Sequence, residues 1–234
     1  MQYELLHAGT NAILHVALKQ GEKIKAESGA MVAKSKTLQI SGRMWGGMGG
    51  ALKRSFLGGE TFFFQEIAAE TGDGEVLIAP SVPGDVTILP ITDGRDYFIQ
   101  SGCLLAAFDD ITMDTRAQKL TAGLFSGAGF FVLHVGGFGH VVISAFGAIM
   151  EVPVPAGDEY IIDNGHVVAW SGDMEYHIVK AGKSWMSSMT SGEGLACKFH
   201  GPGKVWIQTR NPKAFGAWVR RFVPARGGLF SLFG

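Results

Sequence analysis

The sequence predicts an all-β fold: three β repeats forming a β-sandwich or roll, followed by one C-terminal amphipathic helix. Three observations carry this. The pattern Gly-x-Gly-x-Val-x-Ile occurs at 72–78, 137–143 and 201–207, spaced 65 and 64 residues apart. Turn signals recur every 8–12 residues along the chain, the rhythm of short antiparallel strands and not of βαβ units. A helical apolar period is found only after the third copy. Glycine supports the turns, at 34 of 234 residues, about twice its usual ~7% share.

The copies are read as 1–84, 85–148 and 149–210, with a tail at 211–234. Upstream of each Gly-x-Gly lies a small dipeptide ending in glycine, then an apolar run: Ser28-Gly29, Ser101-Gly102 and Asn164-Gly165. Leu89-Pro90-Ile91 with Tyr97 matches Val152-Pro153-Val154 with Tyr160 at an offset of 63. Each Gly-x-Gly is expected to be a hairpin turn, since glycine reaches the positive φ that tight turns need. The runs before it (61–70, 130–135, 195–200) are rich in aromatic and β-branched residues, as strands are. The strand after it alternates, with Val205, Ile207 and Thr209 on one face and Trp206 and Gln208 on the other. That second face keeps one apolar residue per copy, Leu77, Val142 and Trp206, which predicts a cover: a facing sheet or another subunit.

Copy one is eight residues longer than copy two between its matching glycines. The excess falls in a Gly-rich insertion, 42–56, which carries Trp45, Lys53, Arg54 and Phe56. Apolar bulk beside basic charge suits either a loop folded on its own core or one that touches a neighbour or a membrane surface. In the tail, Asn211 caps a helix and Pro212 suits its first turn. Phe215, Trp218, Val219 and Phe222 form one apolar stripe, with Lys213, Arg220 and Arg221 off it. This helix is expected either to dock on the β core or to lie on an anionic membrane.

Composition excludes several classes. With 47% hydrophobic and 18% charged residues, the chain is not mostly disordered. Net charge is −1, so no global pull toward nucleic acid exists. The charge is uneven: 1–60 carries +4, 61–180 carries −12 and 181–234 carries +7, a pattern that fits basic ends over an acidic middle or subunits joined by charge. The basic last third, with Lys198, Lys204, Trp206 and Arg210, keeps an RNA-binding alternative open. Cys103 and Cys197 stand alone in apolar runs, which points to a reducing, cytoplasmic setting. The first residues show no signal peptide, and the apolar runs are too short and Gly-broken for a spanning helix.

No catalytic set, cofactor or metal site is expected. Every Gly-x-Gly leads into a strand, whereas a phosphate loop leads into a helix. Gly182-Lys183-Ser184 follows His177 where a P-loop needs glycine. His134, His166, His177 and His200 lack ligand spacing, though they could converge in space. Asp109, Asp110 and Asp114 suit an acidic turn better than a cation site, and the serines of 184–188 form no nucleophile elbow.

Four segments carry a family resemblance: Gly59-Glu60-Thr61-Phe62-Phe63, Ala79-Pro80-Ser81-Val82-Pro83-Gly84-Asp85-Val86, Ser191-Gly192-Glu193-Gly194-Leu195 and 201–210. The chain resembles a family of uncharacterised bacterial and eukaryotic proteins whose domain is described as similar to the tryptophan RNA-binding attenuator protein. Its eukaryotic branch is mitochondrial. The resemblance implies repeated attenuator-like β units and a homo-oligomer. It brings no catalytic residues, and the attenuator's tryptophan- and RNA-contacting residues have no matching motif here. No transit peptide is evident, so the mitochondrial location is not expected. The function expected is a non-enzymatic oligomeric scaffold. A small-ligand or RNA-binding module and a peripheral membrane organiser are the alternatives.

Overall fold

The computed structural model describes residues 1–9, 11–44, 63–100, 102–117, 131–180 and 195–223. These described residues are built almost wholly into antiparallel strands, with one helix at their C-terminal end. After β1 (Gln2–Leu6), the strands fall into three sets. The first comprises β2 (Ile13–Leu18), β3 (Lys23–Glu27), β4 (Met31–Lys34), β5 (Leu38–Met44), β6 (Phe63–Ala69) and β7 (Gly74–Ile78). The second comprises β8 (Val86–Ile91), β9 (Tyr97–Gln100), β10 (Leu104–Ala117) and β11 (Phe131–Ser144). The third comprises β12 (Ile149–Val154), β13 (Glu159–Asp163), β14 (Val167–Ser171), β15 (Glu175–Lys180), β16 (Leu195–His200) and β17 (Gly203–Gln208).

One pairing scheme serves all three. In the first set β2 and β4 flank β7, while β3 and β5 flank β6. In the third, β12 and β14 flank β17, while β13 and β15 flank β16. In the second, β10 and β11 are each long enough to run through both sheets. There β8 pairs with the last part of β11, and β9 with its first part. A register shift also recurs at one place: between Met31 and Ala33, Leu104 and Ala106, and Val167 and Ala169. Val32, Leu105 and Val168 are therefore equivalent positions. In each set the two sheets close over a shared core. That of the third set takes Val154 from β12, Ile162 from β13, Trp170 from β14, Phe199 from β16 and Val205 from β17.

The Gly-x-Gly segments stand at equivalent places but are not hairpins. β6 and β7 are not partners, nor are β16 and β17, because each strand already has a partner on both sides. The glycines form corners where the chain leaves one sheet and enters the other. In β11 the corner is made without breaking the strand. Gly137 (φ +101°) and Gly139 (φ +140°) stand where a Cβ would run into the carbonyls of Asp110 and Phe108. Only glycine supplies that close approach.

The sets join side by side. β10 of the second pairs with β3 of the first, Ala106 opposite Ala26 and Ala107 opposite Lys25. β14 of the third pairs with β9 of the second, Ala169 opposite Ile99, Trp170 opposite Phe98 and Ser171 opposite Tyr97. This supplies the cover that the second face of each last strand needs. Val142 is buried in the first set's core, with Leu105 and Ala106. Trp206 is buried in the second set's core, with Val168 and Ala169. The cover is thus the neighbouring set of the same chain. Leu77, at the matching position of the first set, is only half-buried.

The helix α1 (Pro212–Arg220) starts as its sequence predicts: the Asn211 side chain accepts hydrogen bonds from the backbone N–H groups of Lys213 and Ala214, at 3.0 and 3.1 Å. The expectation of a docked helix is corrected. No residue of α1 is buried, and its ring contact with the β framework is Phe215 against Phe146, centroids 5.1 Å apart.

Candidate functional site

Of the residues singled out for interaction, Trp45, Lys53, Arg54 and Phe56 lie outside the described residues, as do Gly182-Lys183-Ser184 and the serines of 184–188. Trp218, Arg220, Arg221 and Phe222 are all exposed on or just beyond α1. Phe215 stacks on Trp218 at 5.9 Å, and Trp218 meets Phe222 edge-on at 5.0 Å, so three rings form a ladder along one face. Trp218 is 53% and Phe222 68% exposed, with Arg220 and Arg221 beside them. An apolar ladder flanked by fixed positive charge suits a surface that is apolar and anionic.

Trp206, Lys204 and Lys198 do not form a stacking platform. Trp206 is buried, its ring edge-on to Tyr97 at 5.4 Å. Lys204 is paired with Glu151 at 2.6 Å and Lys198 with Glu159 at 2.9 Å. Strand pairing places each lysine beside a carboxylate of the neighbouring strand. A cleft of about 500 Å³ opens where the second and third sets meet, over Tyr97, Trp206 and this Lys204–Glu151 pair. Several of its polar groups are engaged with neighbouring groups. The Ser171 hydroxyl accepts from the Lys204 N–H at 3.1 Å, and the Tyr97 hydroxyl donates to the Pro90 carbonyl at 3.2 Å.

Of the four histidines that could converge, two meet. His177 and His200 stand with ring centroids 5.4 Å apart, against Glu175 at 3.0 Å and Glu159 at 3.3 Å respectively. His134, on β11, is paired with Asp96, and the His166 ring nitrogen Nδ1 contacts the Gln208 carbonyl at 2.7 Å. Among the described residues, no three His, Cys, Asp or Glu side chains gather as metal ligands. Cys103 and Cys197 are free and buried, and burial pushes both thiols up to about 12. A thiol so placed is a poor nucleophile, since only the thiolate attacks.

A further surface lies at the two ends of the row of sets. Val32 on β4 and Tyr160 and Ile161 on β13 are exposed, although they sit in ordered strands. Sequence reading missed these positions. One signal was present: Lys34 stands where the other sets have Ala107 and Trp170, marking β4 as a wet strand.

Residues 3–210 match the family described as mitochondrial biogenesis AIM24. The chain belongs to this family. An uncharacterised protein of Streptococcus pyogenes serotype M6 is 30% identical over 219 residues, 91% of this chain and 87% of that protein. An X-ray crystal structure of a protein from Streptococcus pyogenes superposes with a TM-score of 0.80 at 27% identity, covering 95% of this chain and 99% of that one. The stretch that matches AIM24 spans the three strand sets, and α1 follows it. Among the described residues, no helix of this AIM24-family chain is long and apolar enough to cross a membrane.

Proposed function

We propose that this protein is a non-enzymatic, oligomeric β scaffold of the cytoplasm, assembled from attenuator-like units. The observation that carries the proposal is the apolar surface left at the outer strands: Val32 at one end and Tyr160 and Ile161 at the other, between 46% and 60% exposed. Exposed apolar residues gathered on sheet edges mark a contact surface. The side-by-side joining of three sets with one pairing scheme supports the attenuator-like reading. Free, buried thiols suit a reducing compartment. The pairing of His15, His134, His177 and His200 with carboxylates supports a structural role for these groups. Light scattering coupled to size exclusion tests the proposal. A mass at a multiple of 25.0 kDa is expected, and a monomer at every concentration would overturn it.

A second reading, contact with an anionic membrane, is favoured by the exposed Phe215–Trp218–Phe222 ladder and its arginines. Each basic residue near such a surface contributes roughly 1 kcal/mol. Sedimentation with vesicles containing anionic lipid, but not with neutral ones, is expected, and is lost on replacing Arg220 and Arg221 with Glu. Sedimentation with neither kind of vesicle excludes this reading.

A further inference from the structure

The two junctions inside the chain follow one rule. A set presents its third strand, with the register shift, to the second strand of the set before it. Ala106 opposite Ala26 and Ala169 opposite Ile99 are the same pair by position, as are Ala107 opposite Lys25 and Trp170 opposite Phe98. The rule leaves two strands over: β4 at the front of the first set and β13 at the back of the third. Among the described residues, β4 pairs with β7 alone and β13 with β16 alone.

Side-chain burial follows the same division. Leu105 and Val168, the shifted residues of the joined strands, are fully buried, whereas Val32 is 57% exposed. Tyr97 and Ile24 are buried at the receiving position, whereas Tyr160 is exposed; next to it Phe98 is buried and Ile161 is 60% exposed. The first core is completed by Leu105, Ala106 and Val142 of the following set, and the second by Val168, Ala169 and Trp206. Among the described residues the third core has no such contribution, and its rim residues Tyr176, Ile178 and Ile207 are only partly buried. The residues equivalent to the missing contribution are Val32, Ala33 and Leu77, at the other end of the chain.

We infer that β4 of one copy pairs with β13 of the next copy, antiparallel, with Ala33 opposite Ile162, Lys34 opposite Ile161 and Ser35 opposite Tyr160. The occupant of each open edge is a second copy of this chain, because each edge carries the half of the junction that the other lacks. The register also sets Lys36 opposite Glu159, opposite charges facing across the strands. Since the two surfaces differ, the contact is head to tail, and repetition gives a ring or a filament. This deepens the scaffold proposal and rests on it.

Full-length chains carrying Lys34→Cys and Ile161→Cys, one in each, test the register. Facing Cα atoms in an antiparallel pair lie about 4.5–5.5 Å apart, within disulfide reach. Mild oxidation of the mixture is expected to give a disulfide-linked heterodimer that neither variant gives alone. Cys103 and Cys197, being buried, do not compete. Ile161→Lys, which sets a like charge against Lys34, is expected to weaken assembly about tenfold or more at unchanged melting temperature of the dissociated chain. Adding Lys34→Glu is expected to restore assembly. An oligomer that keeps its mass in Ile161→Lys and forms no cross-link overturns this register while leaving the scaffold proposal standing. A disulfide formed within a single chain carrying both cysteines overturns it in favour of closure of the row on itself. A wild-type monomer overturns both.

Discussion

β4 and the first part of β10 hold the same place in their sets, flank equivalent strands (β7 and the last part of β11) and carry the same register shift. Yet β4 is exposed along most of its length, and residues 103–108 of the second set are buried throughout. The third-set counterpart, β14, is buried over Val167–Trp170. Pairing within a set therefore does not decide whether this strand is dry. What decides it is whether another set lies alongside. The side chains follow: Lys34 at the open end, Ala107 and Trp170 where a neighbour covers them.

The sharpest way to break this comparison is to truncate the equivalent positions. Trp170 is fully buried, with rings of Phe98 and Phe199 each 5.4 Å away. Trp170→Ala is expected to cost about 3–5 kcal/mol, as large-to-small changes in cores do. Lys34→Ala, measured on the dissociated chain, is expected to stay within about 0.5 kcal/mol. Urea midpoints compare the two, and similar losses would refute the account. A smaller effect separates a tight corner from an open turn. Gly137→Ala combines a positive φ with the Asp110 carbonyl in the way, and is expected to cost more than about 2 kcal/mol. Gly94 has φ +74° and nothing near its missing Cβ, so Gly94→Ala is expected to cost about 1 kcal/mol.

The smallest effect concerns the position shared by His15, Ile88 and Glu151, which is titratable in the outer sets and apolar in the middle one. His15 bridges Glu4 at 3.1 Å and Glu75 at 3.0 Å, and these hydrogen bonds, Glu4 first, raise its pKa. A raised histidine favours the protonated fold. The added stability is complete below the ordinary value near 6.5 and is lost as pH rises through the raised one. Because the carboxylates are mostly exposed, the loss is expected to be about 1–2 °C in melting temperature. His15→Gln is expected to flatten that slope, and an unchanged slope would assign it to another group.

The strand class and the recurrence of Gly-x-Gly were legible because backbone geometry imposes both on the residue sequence. The partner of each strand was not. Gly72-Asp73-Gly74 reads the same whether its arms pair with each other or with strands further off, and only long-range pairing decides for a corner. Leu77, Val142 and Trp206 signalled a covered face, but the covering residues lie in another set, beyond the reach of local periodicity. The exposed ladder on α1 was legible as a stripe and not as a wet one, since amphipathicity says which face is apolar and nothing of what meets it.

The repeated register shift bears on how such a chain changes length over generations. Both internal seams use one geometry, and each core borrows its closing residues from the set that follows. Inserting or deleting one whole set would keep that backbone geometry at every remaining seam, with new side chains facing across it. A break within a set instead strands one core without its closing residues. The strand sets are thus bounded at the linkers, 79–85 and 145–148, while the first two cores reach across them.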